Sequence, residues 1–290
     1  MRALVLACVV ALVAPAMAWE KSADLGLTFN QTAYSNSWTG GESGAMTWAF
    51  TGNFGAQKQM SPKVHWGNQL KLQFGQTHNQ ATAADGTKSW ESPKKSSDRI
   101  FLESIAKLTL GAVVDPYTAF TFESQFLDAS VPEVNRYVNP MLLTESIGAG
   151  RTFIKNEQTE LASRLGFAVR ERFDNTVVSI DPEETDMETT TDGGLEWVTD
   201  FSHTLSTNAK YVSKLRAFQA FFSSAADDLE GLPNEDYWKT ADLAWENTLS
   251  ATVSKYLQFS LFAELLYDKE MDLRGRFREV LGAGLAYKLF

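Results

Sequence analysis

Residues 45–56 alternate: Met46, Trp48, Phe50 and Phe54 fall on one parity, and Thr47, Thr51 and Asn53 on the other. Successive side chains of a β-strand point to opposite faces, so a strand over this stretch has one apolar wall and one polar wall. The pattern returns about a dozen times, mostly over the roughly 9–11 residues that a tilted strand needs to cross an apolar layer, or somewhat more. A chain written in this way is an all-β protein, and its apolar wall has to meet either a core or lipid.

The spacing predicts strands near residues 22–31, 44–57, 64–76, 98–112, 117–126, 141–153, 159–173, 193–205, 209–223, 238–253, 257–268 and 277–290. Short turns are expected at 58–63, 113–116, 154–158, 206–208 and 254–256. Longer loops are expected at 32–43, 77–97, 127–140, 174–192, 224–237 and 269–276. Short ends facing long ends is the asymmetry of periplasmic turns and external loops in an outer-membrane β-barrel. An even strand count then leaves both termini on the periplasmic side.

Charge placement says which wall faces out. Leu25, Leu27 and Phe29, Leu70, Leu72 and Phe74, and Leu257, Phe259, Leu261 and Leu265 form uncharged stripes. The opposite stripes hold Lys71, Glu103, Lys107, Glu123, Arg164, Arg170, Glu196, Asp200, Lys214, Arg216, Asp242, Glu246 and Glu264, the expected lining of a lumen. A soluble barrel also alternates, but one of about twelve strands would need an unusually large apolar interior, whereas lipid accepts that wall directly. On the sixth strand Glu145 and Arg151 share parity with Ile147 and Phe153, which leaves its orientation open.

The N-terminus reads as an export signal. Arg2 supplies a positive start, an apolar stretch follows, and Ala16-Met17-Ala18 is a small-x-small cleavage site. The expected organisation is a signal peptide over 1–18 and one barrel domain over 19–290. Cleavage would remove Cys8, the one cysteine, and with it any structural disulfide or thiolate metal site. No later apolar run approaches the roughly 20 residues of a membrane helix. An aromatic content of 12%, with 8 Trp and 19 Phe, suits the girdles of a membrane barrel. A net charge of −10 argues against nucleic acid as a partner.

At the C-terminus, Leu285, Tyr287 and Leu289 are in phase and Phe290 ends the chain. This resembles the C-terminal signal of bacterial outer-membrane proteins, which implies the barrel-assembly machinery and outer-membrane lipid as partners. At Asn36-Ser-Trp38-Thr-Gly40-Gly41-Glu42 the sequence resembles an uncharacterised family of bacterial outer-membrane β-barrel proteins with a Trp-x-Gly-Gly-Glu signature. The resemblance reaches over the first half to two thirds of residues 19–290. It implies a location and a fold and is silent on mechanism. Trp38, Gly40, Gly41 and Glu42 also read as a tight loop with a headgroup-level Trp anchor.

Catalytic chemistry is sparse. His65, His78 and His203 are far apart, and no serine lies two residues from a histidine on one strand face near the outer rim, as a barrel phospholipase needs. Gly148-Ala149-Gly150 and Gly282-Ala283-Gly284 lack the third glycine and helix of a dinucleotide site. No cofactor is expected. Asp181-Pro-Glu-Glu-Thr-Asp-Met-Glu188 lacks EF-hand spacing; it reads as a solvated loop or as an acidic mouth that gathers divalent cations. The leading expectation is a porin-like channel for small solutes or ions. The alternative is a closed structural or surface-interaction barrel with functional acidic loops, and a lipid-modifying enzyme is a distant third. The inner charges decide between the first two. Paired across the lumen they shut it; on separate walls they line a pore.

Overall fold

A computed structural model describes residues 19–35, 42–254 and 256–288. Twelve long strands form one antiparallel ring: β1 (Glu20–Thr32), β2 (Ala45–Ser61), β3 (Val64–Thr82), β4 (Lys94–Leu108), β5 (Asp115–Ser124), β6 (Met141–Lys155), β7 (Thr159–Ser179), β8 (Glu184–Ser206), β9 (Ala209–Ser223), β10 (Asp242–Thr252), β11 (Leu257–Tyr267) and β12 (Arg276–Lys288). Each pairs with its sequence neighbours. The ring closes where β1 meets β12, with Asp24 opposite Lys288 and Thr28 opposite Gly284. Closure pairs the edge strands, so every strand of the ring has a neighbour on both sides.

The wall is inverted relative to a soluble protein. Phe167 and Ile147 are each 66% exposed on the outside and Leu281 is 73% exposed, while Glu103, Arg164, Lys214 and Glu246 are buried inside. Alternation puts them there: residues 99, 101, 103, 105 and 107 of β4 share the inner face, and Ile100, Leu102 and Ser104 share the outer one.

The twelve expected strands are all present, and the largest differences lie at the loop end. β7 and β8 run on as a two-stranded ribbon to a short connection at 180–183, so the long loop expected over 174–192 is mostly strand. Thr176, Val177, Thr189, Thr190 and Thr191 explain this. β-branched residues favour extended backbone, even where a polar outer row hides the alternation. The fourth strand ends at Leu108 rather than at 112. The tenth begins at Asp242 rather than at 238, because Tyr237–Lys239 form a 3-10 turn. Residues 88–90 add a short strand against Gln80–Thr82 within the loop expected at 77–97. The orientation of the sixth strand is now fixed: Thr144 and Ser146 point inward, and Glu145 and Ile147 point out.

Gly148 and Gly166 face each other across β6 and β7. A Cβ on Gly148 would sit 2.2 Å from the carbonyl oxygen of Leu165, and one on Gly166 would sit 2.5 Å from that of Ile147. Gly148→Ala is therefore expected to cost about 1–3 kcal/mol by overpacking, read as a lower denaturant midpoint of the refolded barrel.

Candidate functional site

The candidate site is the middle of the lumen. Phe101, on the inner face of β4, is fully buried at 0% exposure. Four cations from three strands surround its ring: Lys71 Nζ at 5.4 Å, the Arg99 guanidinium at 5.1 Å, Lys214 Nζ at 5.5 Å and the Arg216 guanidinium at 5.4 Å from the centroid. An aromatic face attracts cations, but four like charges around one ring need anions between them.

Those anions come from both sides of the barrel. Glu246 of β10 accepts hydrogen bonds from Lys71 at 3.3 Å and from Arg99 at 2.6 Å, and lies 3.7 Å from Arg216. Glu123 of β5 accepts from both Nη atoms of Arg216, one of them at 3.1 Å, and lies 3.5 Å from Arg99. Glu103 of β4 accepts from Arg164 of β7 and from Lys214 of β9, the latter at 2.8 Å. Asp200 of β8 approaches Lys214 at 3.5 Å and Arg164 at 3.8 Å. Glu264 of β11 pairs with Arg278 of β12 at 2.8 Å. β4 and β10 lie on opposite sides of the ring, so the Arg99–Glu246 bond crosses the full lumen. Six cations meet five carboxylates in this layer, with the buried Glu196 close by, and low local dielectric strengthens each contact.

Of the expected lining residues, Lys71, Glu103, Glu123, Arg164, Asp200, Lys214, Arg216, Glu246 and Glu264 meet in this layer. Glu196 is buried on the inner face of β8 nearby. Arg170 and Asp242 pair with each other at 2.7 Å, one storey nearer the loop end. Lys107 lies at the opposite end, in register with His65. Arg99 and Arg278 belong to the layer and were not expected there. Their parity with Glu103 and with Arg276 was the available signal.

The two ends differ. At the loop end, Trp238 packs onto the inner-wall residues Ala168, Phe218 and Ala220, and Gln219 holds the turn by donating to the Lys239 carbonyl at 2.7 Å. Arg170 stacks over Phe218 at 3.7 Å. The connection between β5 and β6 is tied to β7: Arg136 pairs with Asp128 at 2.8 Å and donates to the Asn175 carbonyl at 2.7 Å. At the hairpin-turn end, a cavity of about 470 Å³ enters between Ser22, Gln57, His65 and Gln69 and stops at Glu103. Among the described residues, no group of three or more His, Cys, Asp and Glu is placed to hold a metal.

Glu270, in the connection before β12, has its carboxyl pushed up to about 7 by partial burial and by the carboxylates of Asp192, Asp268 and Asp242. A folded pKa above the unfolded one means that the folded form binds more protons between pH 4.5 and 7. Stability is therefore lost as the pH rises through that window and is regained on acidification. Exchange of amides 268–275, corrected for its intrinsic pH dependence, should slow several-fold between pH 8 and pH 5. Solvent screening at this partly exposed loop keeps the effect that small. Glu270→Gln should remove the difference.

Residues 1–18, 36–41 and 289–290 lie outside the described residues, and with them the export signal, Trp38, Gly40, Gly41 and Phe290. The Glu42 carbonyl accepts from Lys88 at 2.9 Å. His203 shares a hydrogen bond with Thr159 at 2.8 Å.

Two family models match the chain, each over about a third of it: "Protein of unknown function (DUF3078)" over residues 29–129 and "Protein of unknown function, DUF481" over residues 142–231. No curated protein matches. Solved structures similar to the chain include an outer membrane channel from Pseudomonas putida F1, 10% identical, covering 94% of this chain and 95% of that one at a TM-score of 0.41. The translocator domain of autotransporter NalP from Neisseria meningitidis is 9% identical, covering 97% and 92% at a TM-score of 0.38. The β domain of the Bordetella autotransporter BrkA is 12% identical, covering 94% and 98% at a TM-score of 0.34.

Proposed function

We propose that the protein is an outer-membrane β-barrel whose lumen is closed at rest, a structural or surface-interaction barrel with no catalytic role. The observation that carries this is the charge layer around Phe101, in which Glu103, Glu123 and Glu246 each bind cations from strands across the ring. Ions that are paired and buried do not guide solutes. The apolar outer wall supports a membrane location, with the hairpin turns periplasmic, the loops external and the signal at 1–18 removed. Lipid and the barrel-assembly machinery are its partners on this reading.

A second reading, a channel for small solutes that opens when the layer rearranges, is favoured by the cavity that reaches Glu103 from the turn end. Liposome swelling separates the two. Vesicles carrying the folded barrel should not swell in an isotonic small sugar. Swelling at porin-like rates would favour the channel.

A further inference from the structure

A second cavity lies on the outside of the barrel. A groove of about 700 Å³ crosses the outer wall from Trp66 to Phe221 and Phe222. Small residues make its floor: Ala106, Gly193 and Gly194. A β-bulge where Gly193 faces Phe222 and Gly194 faces Ala220 throws two consecutive phenylalanines outward as one end wall. On a convex barrel such a depression exists only because these floor side chains are small.

Glu145 stands in this groove. It is paired in register with Phe120 on one side and Val169 on the other, and Leu143 and Ile147 precede and follow it on the same face. It is exposed, and its carboxylate makes no hydrogen bond or ion pair among the described residues. Most mid-height carboxylates of the ring point inside; Glu279 of β12 also faces out, beside Arg278, but it does not line this groove. An ionisable group amid an apolar, lipid-facing row is costly and attracts any cation strongly, because little water screens it. Ser104 and Thr118 line the same groove beside Phe120, and Ser104 already accepts from the Trp66 indole at 2.9 Å.

From this we propose that the groove is a binding site for an apolar amine: an alkyl chain lies along Ala106 and Gly194, and its ammonium meets Glu145. The proposal rests on the outer wall being lipid-facing. A second copy of the chain fits less well, since a two-fold axis along the membrane normal would oppose Glu145 to Glu145. A fatty acid would bring a second carboxylate to the first.

The test uses the whole protein, purified into nanodiscs of phosphatidylcholine, with hexadecylamine, hexadecanol and palmitate as probes read by native mass spectrometry. One equivalent of hexadecylamine should bind at least tenfold more tightly than either of the others. Glu145→Gln, a change on the outer surface that leaves the inner layer intact, should remove that preference. Ala106→Phe, which fills the floor, should weaken amine binding with Glu145 still present. Equal binding of the three probes means an ordinary lipid annulus and overturns the proposal, as does amine binding that is indifferent to Glu145→Gln. Failure of a heat-modifiable, folded barrel to enter nanodiscs would overturn the membrane reading itself, and is told apart from the absence of amine binding by an inserted one.

Discussion

Replacing Glu103 with glutamine is expected to destabilise the barrel by about 3–5 kcal/mol, the cost of breaking a buried ion pair by removing one partner. Glu103 is a single carboxylate that satisfies two cations, Arg164 and Lys214, both buried. Glutamine keeps the shape and removes the charge, so both cations are left with Asp200 alone among the carboxylates that approach them within 4 Å. Glu103→Gln combined with Lys214→Met removes one charge of each sign and should recover part of the loss, because one of the two uncompensated buried cations is gone. Equilibrium unfolding in urea, followed by tryptophan fluorescence, reads both variants. A loss under about 1 kcal/mol for the single variant would mean that the lumen is hydrated and its pairs weak.

Phe101→Ala should act on stability and permeability together. The ring is wholly buried and supports Lys71, Arg99, Lys214 and Arg216. Its removal is expected to cost about 3–5 kcal/mol, as for other buried phenylalanines. The space left is lined by charges, so water enters it, which places the expected cost at the lower end of that range. Water between the cations and Glu246 also loosens the layer. Vesicles carrying this variant should leak small ions where the unaltered barrel does not. A variant that loses stability without any leak would show that the ion pairs alone seal the lumen.

The strands were legible because alternation survives wherever one wall is apolar. Their extension at the loop end was not, since both rows of the β7–β8 ribbon are polar and only the Thr and Val residues betray it. The inward stripe was legible where it carried charge. On β6 it carries Thr144, Ser146, Gly148 and Gly150, which are small and neutral, so the outward Glu145 made the orientation ambiguous.

Pairing was the least readable feature. Arg164 with Asp200 and Arg216 with Glu246 lie on adjacent strands and follow from adjacency. Arg99 with Glu246, or Lys214 with Glu103, joins residues more than a hundred positions apart. Such contacts depend on the tilt and stagger of the closed ring, which one sequence does not reveal. Arg99 escaped notice for a simpler reason: it stands beside Asp98 at the start of the expected strand, where a charge reads as a loop boundary.

Single-channel recording in a planar bilayer tests the closed lumen most directly. Folded barrels, verified by heat-modifiable mobility, should insert and stay silent at moderate voltage, and Glu103→Gln or Phe101→Ala should bring openings. Discrete, steady openings from the unaltered protein, of the size of an open porin, would contradict a lumen shut by the charge layer around Phe101.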